Sequence, residues 1–175
     1  MSGVTVPTPF AVDGLLYIAS GCAHSSQRPV YAIRPGATGD ISLQSGATAN
    51  AHVAWSQRRA APYVTSPLVY DGQFYVLLDK GFLAAYDAIT GEEVYGKQRF
   101  PGDRAAFTAS PWAYDGKVFC LTETGETYVI EAGPNSASSA STTSTKPPWP
   151  RLPSPATASF SAPSPSSTAS PTQQT

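Results

Sequence analysis

Histidines, cysteines and paired carboxylates are the side chains that most often carry acid–base, nucleophilic or metal chemistry. The chain has two histidines, His24 and His52, and two cysteines, Cys22 and Cys120. Neither histidine has a neighbour at a metal-ligand spacing, and the cysteines lie far apart without a CxxC pattern. The sequence therefore predicts neither a metal centre nor a disulfide framework, and we interpret both histidines as exposed loop or strand-end residues.

The carboxylates are spread along the chain, and most of them stand where a turn requires them. These turn residues are Asp13, Asp71, Asp87 and Asp115. A catalytic pair needs two carboxylates that converge on one pocket, which sequence spacing alone cannot establish. The sequence also contains no GxSxG elbow, HExxH helix, P-loop or GxGxxG fingerprint. We therefore predict no catalytic, cofactor-binding or metal-binding residue.

Composition narrows the classes of partner. Charged residues make up 13% of the 175 residues and the net charge is −1, so we expect no nucleic-acid partner. The densest basic spot is Arg58-Arg59, which we interpret as a solvated strand end, with a phosphate contact as the alternative. The first ten residues, MSGVTVPTPF, do not read as a signal peptide, and no apolar window is long enough for a membrane span.

A ten-residue string recurs three times without gaps. The copies are Thr8 to Tyr17 (TPFAVDGLLY), Ser66 to Tyr75 (SPLVYDGQFY) and Ser110 to Phe119 (SPWAYDGKVF). Asp-Gly between two apolar runs is a strong hairpin signal, because glycine readily takes a positive φ, and the proline suits the first residue of a strand. The three predicted hairpin turns are Asp13-Gly14, Asp71-Gly72 and Asp115-Gly116.

Each string is followed by a second pair of strand-like runs. In the middle copy these runs are joined by DAITG, residues 87–91, and Thr38-Gly39 stands in the same role in the first copy. Four short strands in about 44 residues are typical of a propeller blade. An eight-stranded sandwich is the alternative, but it does not explain the recurring string. We predict an all-β partial β-propeller with three four-stranded antiparallel blades at about 5–62, 63–107 and 108–133.

The stretch AYDAITGEEVY, residues 85–95, resembles the AxDxxTGxxxW docking motif of PQQ-type (quinoprotein-like) β-propeller repeats. The matching positions are Asp87, Thr90 and Gly91, with Tyr95 where the motif has Trp. The first copy keeps Thr38-Gly39, and its Trp55 comes late, after an insertion. The resemblance, which covers about residues 5–133, implies that the Thr-Gly turn and the aromatic residue pin neighbouring blades together.

The resemblance also implies two classes of function. The first is a non-catalytic scaffold that binds other proteins or envelope components, with the full-length protein in the bacterial periplasm or cell envelope. The alternative is part of a dehydrogenase that uses pyrroloquinoline quinone (PQQ) and calcium. Those enzymes commonly hold the quinone against adjacent cysteines, and the sequence has no Cys-Cys pair. We therefore expect the scaffold, with no cofactor.

Three further expectations concern the ends and the longest loop. Residues 134–175 are rich in Ser, Pro, Thr and Ala and are predicted to be disordered, with PPWP at 147–150 as an alternative docking peptide. Closed propellers use about four to eight blades, so the chain is either a fragment or completes its ring with blades of other chains. The insertion Gly36 to Asn50 is our candidate partner surface, and a variable loop without a role is the alternative.

Overall fold

The computed structural model describes residues 5–22, 24–101 and 105–134, and the backbone of 141–143. This part of the chain contains no helix, and therefore none that could cross a membrane. It contains the following strands: β1 Phe10–Val12, β2 Leu15–Ala19, β3 Val30–Ile33, β4 Val53–Gln57, β5 Leu68–Tyr70, β6 Gln73–Leu78, β7 Phe82–Asp87, β8 Glu93–Arg99, β9 Trp112–Tyr114, β10 Lys117–Leu121, β11 Thr127–Glu131 and β12 Ser141–Thr143.

The strands form three separate four-stranded antiparallel sheets, each made of consecutive strands. Strands β1–β4 are blade 1, β5–β8 are blade 2 and β9–β12 are blade 3. The prediction of an all-β partial propeller is thereby confirmed. The sandwich alternative was wrong, because the repeats do not interleave their strands into a pair of facing sheets.

The hairpin that opens each blade is a tight two-residue turn. Asp13, Asp71 and Asp115 all have φ 50, and the glycines that follow them have φ 76, 70 and 70. A positive φ at both central residues defines a type I′ turn, whose twist matches that of the flanking strands. The predicted Asp-Gly bends are therefore present in all three copies.

Successive side chains of a strand point to opposite faces of the sheet, so each blade has two faces. We call the face toward the next blade along the chain the leading face and the opposite one the trailing face. The leading face of blade 1 packs on the trailing face of blade 2 to form the first seam, whose buried aromatic residues are Tyr17, Trp55, Phe74 and Tyr86. Blades 2 and 3 form the second seam in the same way, with Tyr75, Tyr95, Phe100, Phe107 and Tyr128.

The outer edge of blade 3 does not end where the composition changes. Strand β12 lies within the stretch 134–175, and Ser141–Thr143 pairs antiparallel with β11. The third sheet therefore extends beyond the predicted blade boundary at 133. Residues 135–140 and 144–175, for which disorder or a docking peptide is predicted, lie outside the described residues.

Candidate functional site: the blade seams and the open face of blade 3

The DAITG turn of blade 2 is closed by its own aspartate. Asp87 Oδ1 accepts hydrogen bonds from the backbone N–H groups of Ile89 (3.0 Å) and Thr90 (2.7 Å). The Gly91 N–H donates to the Asp87 carbonyl at 2.9 Å. These bonds, chiefly the one from the Thr90 backbone, hold the pKa of the Asp87 carboxyl below its usual value. The aspartate thus closes the turn by accepting from residues two and three positions ahead of it.

Blade 1 docks on this turn through two aromatic side chains. The Trp55 indole N–H and the Tyr17 hydroxyl each donate to the Ala88 carbonyl at 2.9 Å. The Trp55 ring also lies against Gly91, where an added Cβ would come within 2.5 Å of the ring. Glycine is therefore required at this position for the indole to pack. Burial, followed by the carboxylates of Asp13 and Asp87, raises the pKa of Tyr17 to about 12.

The second seam has the same layout with different chemistry. Tyr95 pairs with Ala85 as Trp55 pairs with Ala32, so the two aromatic residues occupy equivalent positions. The Tyr75 hydroxyl, which is equivalent to that of Tyr17, accepts a hydrogen bond from the Gly133 N–H at 2.9 Å. The docking residue of blade 1 is thus Trp55. The insertion at 36–50 lengthens the loop before β4, but Trp55 still pairs with Ala32.

The Thr38-Gly39 turn of blade 1 is exposed. Gly39 has φ 69, and a Cβ added there would meet no atom within 4 Å. Arg34, which stands where blade 2 has Asp87, donates to the Asn50 carbonyl at 2.8 Å. Within the described residues, no aromatic ring packs on Gly39 as Trp55 packs on Gly91.

A second contact between blades is made by the hydroxyl residue that opens each ten-residue string. The Thr8 N–H donates to Ser66 Oγ at 2.9 Å, and the Ser66 N–H donates to Ser110 Oγ at 2.8 Å. This ladder of hydroxyl groups was missed by sequence reasoning, which explained only the proline. The signal was present, since all three copies begin with a hydroxyl residue.

The leading face of blade 3 repeats a pair of rings from blade 1. Phe10 and Tyr17 stack at 5.3 Å in blade 1, and Phe74 of blade 2 covers Tyr17 at 5.2 Å. The equivalent pair in blade 3, Trp112 and Phe119, stacks at 5.5 Å with an interplanar angle of 6°. Trp112 is 45% exposed and the neighbouring Tyr114 is 74% exposed. The blade 3 pair is thus arranged as in a seam, and its Trp112 is exposed.

The side chains that could carry metal or thiol chemistry are the acidic residues, the two histidines and the two cysteines. No group of three or more His, Cys, Asp or Glu side chains converges within the described residues. Cys120 is buried in the second seam, and burial raises the pKa of its thiol to about 12. Cys22 lies beside β2 of blade 1, His24 is exposed, and His52 directly precedes β4.

Comparison with solved structures identifies this arrangement. The chain superposes on the quinohemoprotein alcohol dehydrogenase of Comamonas testosteroni with a TM-score of 0.51 and 23% identity, over 73% of the chain. Its superposition on the quinohemoprotein alcohol dehydrogenase ADHIIG of Pseudomonas putida HK5 has a TM-score of 0.51 and 20% identity, over 72% of the chain. A europium-containing methanol dehydrogenase gives 0.52 and 17% over 77% of the chain. The fold is that of part of a β-propeller of the kind found in these enzymes. No family model and no curated protein matches the sequence.

The PQQ-type propellers found in this way are much longer. The chain spans 19% of each quinohemoprotein dehydrogenase and 24% of the methanol dehydrogenase. At these identities the likeness extends to the fold alone. BamB of Moraxella catarrhalis is matched over 73% of the chain and 33% of its own length, with a TM-score of 0.46 and 16% identity.

Proposed function

We propose that this chain is a non-catalytic binding scaffold that associates with a further β-blade through the leading face of blade 3. The observation that carries the proposal is the repeated ring pair. Phe10 and Tyr17 form the part of blade 1 against which Phe74 packs. Trp112 and Phe119 present the same stacked pair with no equivalent of Phe74 over it among the described residues.

The partner inferred from this face is another four-stranded blade with an apolar trailing face. Both seams of the chain join a leading face to such a sheet, so the same kind of surface is already used twice as an interface. Ser110 also stands in the position from which Thr8 and Ser66 donate their N–H groups to the next blade. The blade can belong to a longer form of this protein or to another chain. An exposed aromatic face of this kind marks an interaction site. The envelope location implied by the family resemblance stays a prediction.

The proposal is tested by adding a blade of known sequence. A copy of residues 64–101, which contain blade 2, is fused after the full chain through a flexible linker, in a Trp149→Phe background that removes one tryptophan signal. Trp55 is 4% exposed and Trp112 is 45% exposed, so acrylamide quenching reports mainly on Trp112. We expect the added blade to cover Trp112 and to lower its quenching by about half.

The matched control is the same fusion with Phe74→Ser in the added copy only, which removes the ring that would cover the pair. We expect this variant to leave Trp112 as accessible as in the unfused chain. Equal quenching of Trp112 in the two fusions would contradict the proposal, because contact through the trailing face requires that ring.

The absence of a reaction is tested separately. The full chain is mixed with PQQ and calcium, and the dye-coupled oxidation of alcohols and sugars is followed. We expect no turnover above the protein-free mixture. Turnover that depends on both PQQ and the chain would instead support the dehydrogenase alternative.

A further inference from the structure

The insertion of blade 1, residues 36–50, is an ordered loop held by its own hydrogen bonds. Asn50 Oδ1 accepts from the N–H groups of His52 (2.9 Å) and Val53 (2.7 Å), and Asn50 Nδ2 donates to the Ile41 carbonyl at 3.1 Å. The Ser56 hydroxyl of β4 donates to the Thr48 carbonyl at 2.9 Å. The loop is therefore tied to the sheet at several points and has a defined shape, as functional loops on rigid scaffolds often do.

A cavity lies between this loop and the trailing face of blade 1. Its volume is about 430 Å³, within the range of about 300–1,000 Å³ that small-molecule sites occupy. The loop contributes Leu43 and Gln44, and the blade contributes Tyr31. We call this space the insertion cavity.

Two features that stand far apart in the sequence meet at the insertion cavity. Arg58 and Arg59, the densest basic spot of the chain, line it together with residues of the insertion. Both arginines are exposed, and their backbone is fixed because the Arg28 N–H donates to the Arg58 carbonyl at 3.0 Å and Arg28 forms a β-bridge with Arg59. A cavity lined by two arginines whose backbone is fixed is suited to an anion.

The lining defines the chemistry of a ligand. Arginine presents a planar fork of donors that matches carboxylate and phosphate oxygens. The carboxamides of Gln27 and Gln44 can donate hydrogen bonds to hydroxyl groups or accept them. The ring of the half-buried Tyr31 can pack against the apolar face of a ligand. No carboxylate is among the residues that line the cavity. We propose that the insertion cavity binds a small anionic, polyhydroxylated molecule of the sugar-acid or sugar-phosphate class.

This site is independent of the leading face of blade 3 and is tested on the full chain by isothermal titration calorimetry. The probes are glucuronate, glucose 6-phosphate and neutral glucose. We expect at least one of the two anions to bind about tenfold or more tightly than glucose, because only the anions engage the guanidinium groups. Preference between the two anions distinguishes a carboxylate from a phosphate as the natural source of charge.

Variants locate the binding. Arg58→Gln and Arg59→Gln are each expected to weaken the anion by about tenfold, and Ala47→Trp is expected to weaken it by filling the cavity. Lys97→Gln, at an exposed position of β8 in blade 2, removes the same charge and should leave binding unchanged. Circular dichroism verifies that each variant keeps its fold. The proposal is overturned if neither anion binds at about 10 mM, if glucose binds equally well, or if the arginine variants behave like Lys97→Gln.

Discussion

At the first seam the Tyr17 hydroxyl donates to a carbonyl, that of Ala88, whereas at the second seam the equivalent Tyr75 hydroxyl accepts from an amide, that of Gly133. The difference originates in the turn that each seam meets. In the DAITG turn Asp87 engages the local N–H groups, and the Ala88 carbonyl faces the neighbouring blade. The blade 3 turn has lost that aspartate and offers an N–H instead. A tyrosine hydroxyl serves both cases because it can donate and accept.

The connecting segments contribute differently to the two seams: the segment between blades 1 and 2 supplies the small residues Ala60 and Ala61, whereas the one between blades 2 and 3 supplies aromatic rings. The centroid of the Phe100 ring lies 5.1 Å from that of Phe107 and 4.7 Å from that of Tyr128, with the rings tilted. The Tyr128 hydroxyl donates to the Pro101 carbonyl at 2.6 Å. The segment between blades 2 and 3 thus fills the seam where no tryptophan is present. The docking motif is thus one of two ways in which neighbouring blades of this chain are joined.

The largest effect is expected at the glycine that receives Trp55. Gly91→Ala places a Cβ about 2.5 Å from the indole at a residue with φ 74, so we expect a loss of about 3 kcal/mol in the free energy of unfolding. Gly39→Ala is the matched control, because Gly39 has φ 69 but open space around it, and should cost about 1 kcal/mol. Equal losses in urea unfolding would show that the indole does not depend on Gly91.

The hydroxyls of Tyr75 and Tyr17 should contribute unequally to the free energy of unfolding. Tyr75→Phe removes the hydroxyl that accepts from the buried Gly133 N–H, and we expect a loss of about 2 kcal/mol. Tyr17→Phe should cost about 0.5 kcal/mol, because the Ala88 carbonyl keeps the bond from Trp55. Urea unfolding measures the free energy of unfolding of both variants. A larger loss for Tyr17→Phe than for Tyr75→Phe would contradict this prediction.

Gln73 lies in the second blade where blade 1 has Leu15. Among the described residues its buried Oε1 atom has no hydrogen-bond partner. We therefore expect Gln73→Leu to raise the free energy of unfolding by about 1 kcal/mol. Gln57→Leu, which removes the bond from Gln57 Nε2 to the Gly91 carbonyl (2.8 Å), should lower it instead. Thermal unfolding of both variants measures the contrast.

Acid should weaken the turn of the first seam. Because hydrogen bonds lower the folded-state pKa of Asp87, its stabilising contribution is present above the unfolded pKa of about 3.9 and is lost as the pH falls through the folded value. We expect Asp87→Ala to cost about 1 kcal/mol at pH 7 and less below pH 4. Glu131→Ala, at the equivalent position of blade 3, breaks an exposed ion pair with Lys117 and should cost less than about 0.5 kcal/mol. A loss for Asp87→Ala that does not change between pH 7 and pH 3 would contradict this.

The smallest effect concerns the opening of the second seam without global unfolding. Burial raises the pKa of the Cys120 thiol to about 12, so in a Cys22→Ser background the native chain should react very slowly with a thiol reagent at pH 8. Tyr75→Phe should accelerate the labelling and Tyr17→Phe should not, because only Tyr75 lies in the seam with Cys120. Mass spectrometry measures the rate of labelling. Fast labelling of Cys120 in the native chain would mean that this seam is open.

Much of the fold could be predicted from the sequence because the blade is a local unit. Each hairpin is specified by two adjacent residues, as in Asp71-Gly72, and three copies of one string reveal the repeat. The third sheet was harder, since β12 has a composition without apolar alternation and depends on its pairing with β11. Local pattern therefore sufficed for hairpins but not for an edge strand in a polar segment.

The seams were only partly predictable. The DAITG turn was visible because the aspartate bonds to residues two and three positions ahead. The place of Trp55 in the sheet was obscured by the insertion, whose length does not affect which residue pairs with Ala32. The insertion cavity could not be found in the sequence, since Arg58 and Gln44 meet only after the loop has folded against the sheet.

The ladder from Thr8 through Ser66 to Ser110 always runs in the same direction, with each backbone N–H donating to the hydroxyl that follows. A contact with such a polarity joins units in series and cannot join two of them head to head. It also involves only one residue on each side, so at this contact a further unit needs only a hydroxyl residue in the same position. The ladder thus sets the direction in which units follow one another, while the aromatic residues of each seam differ from one pair of units to the next.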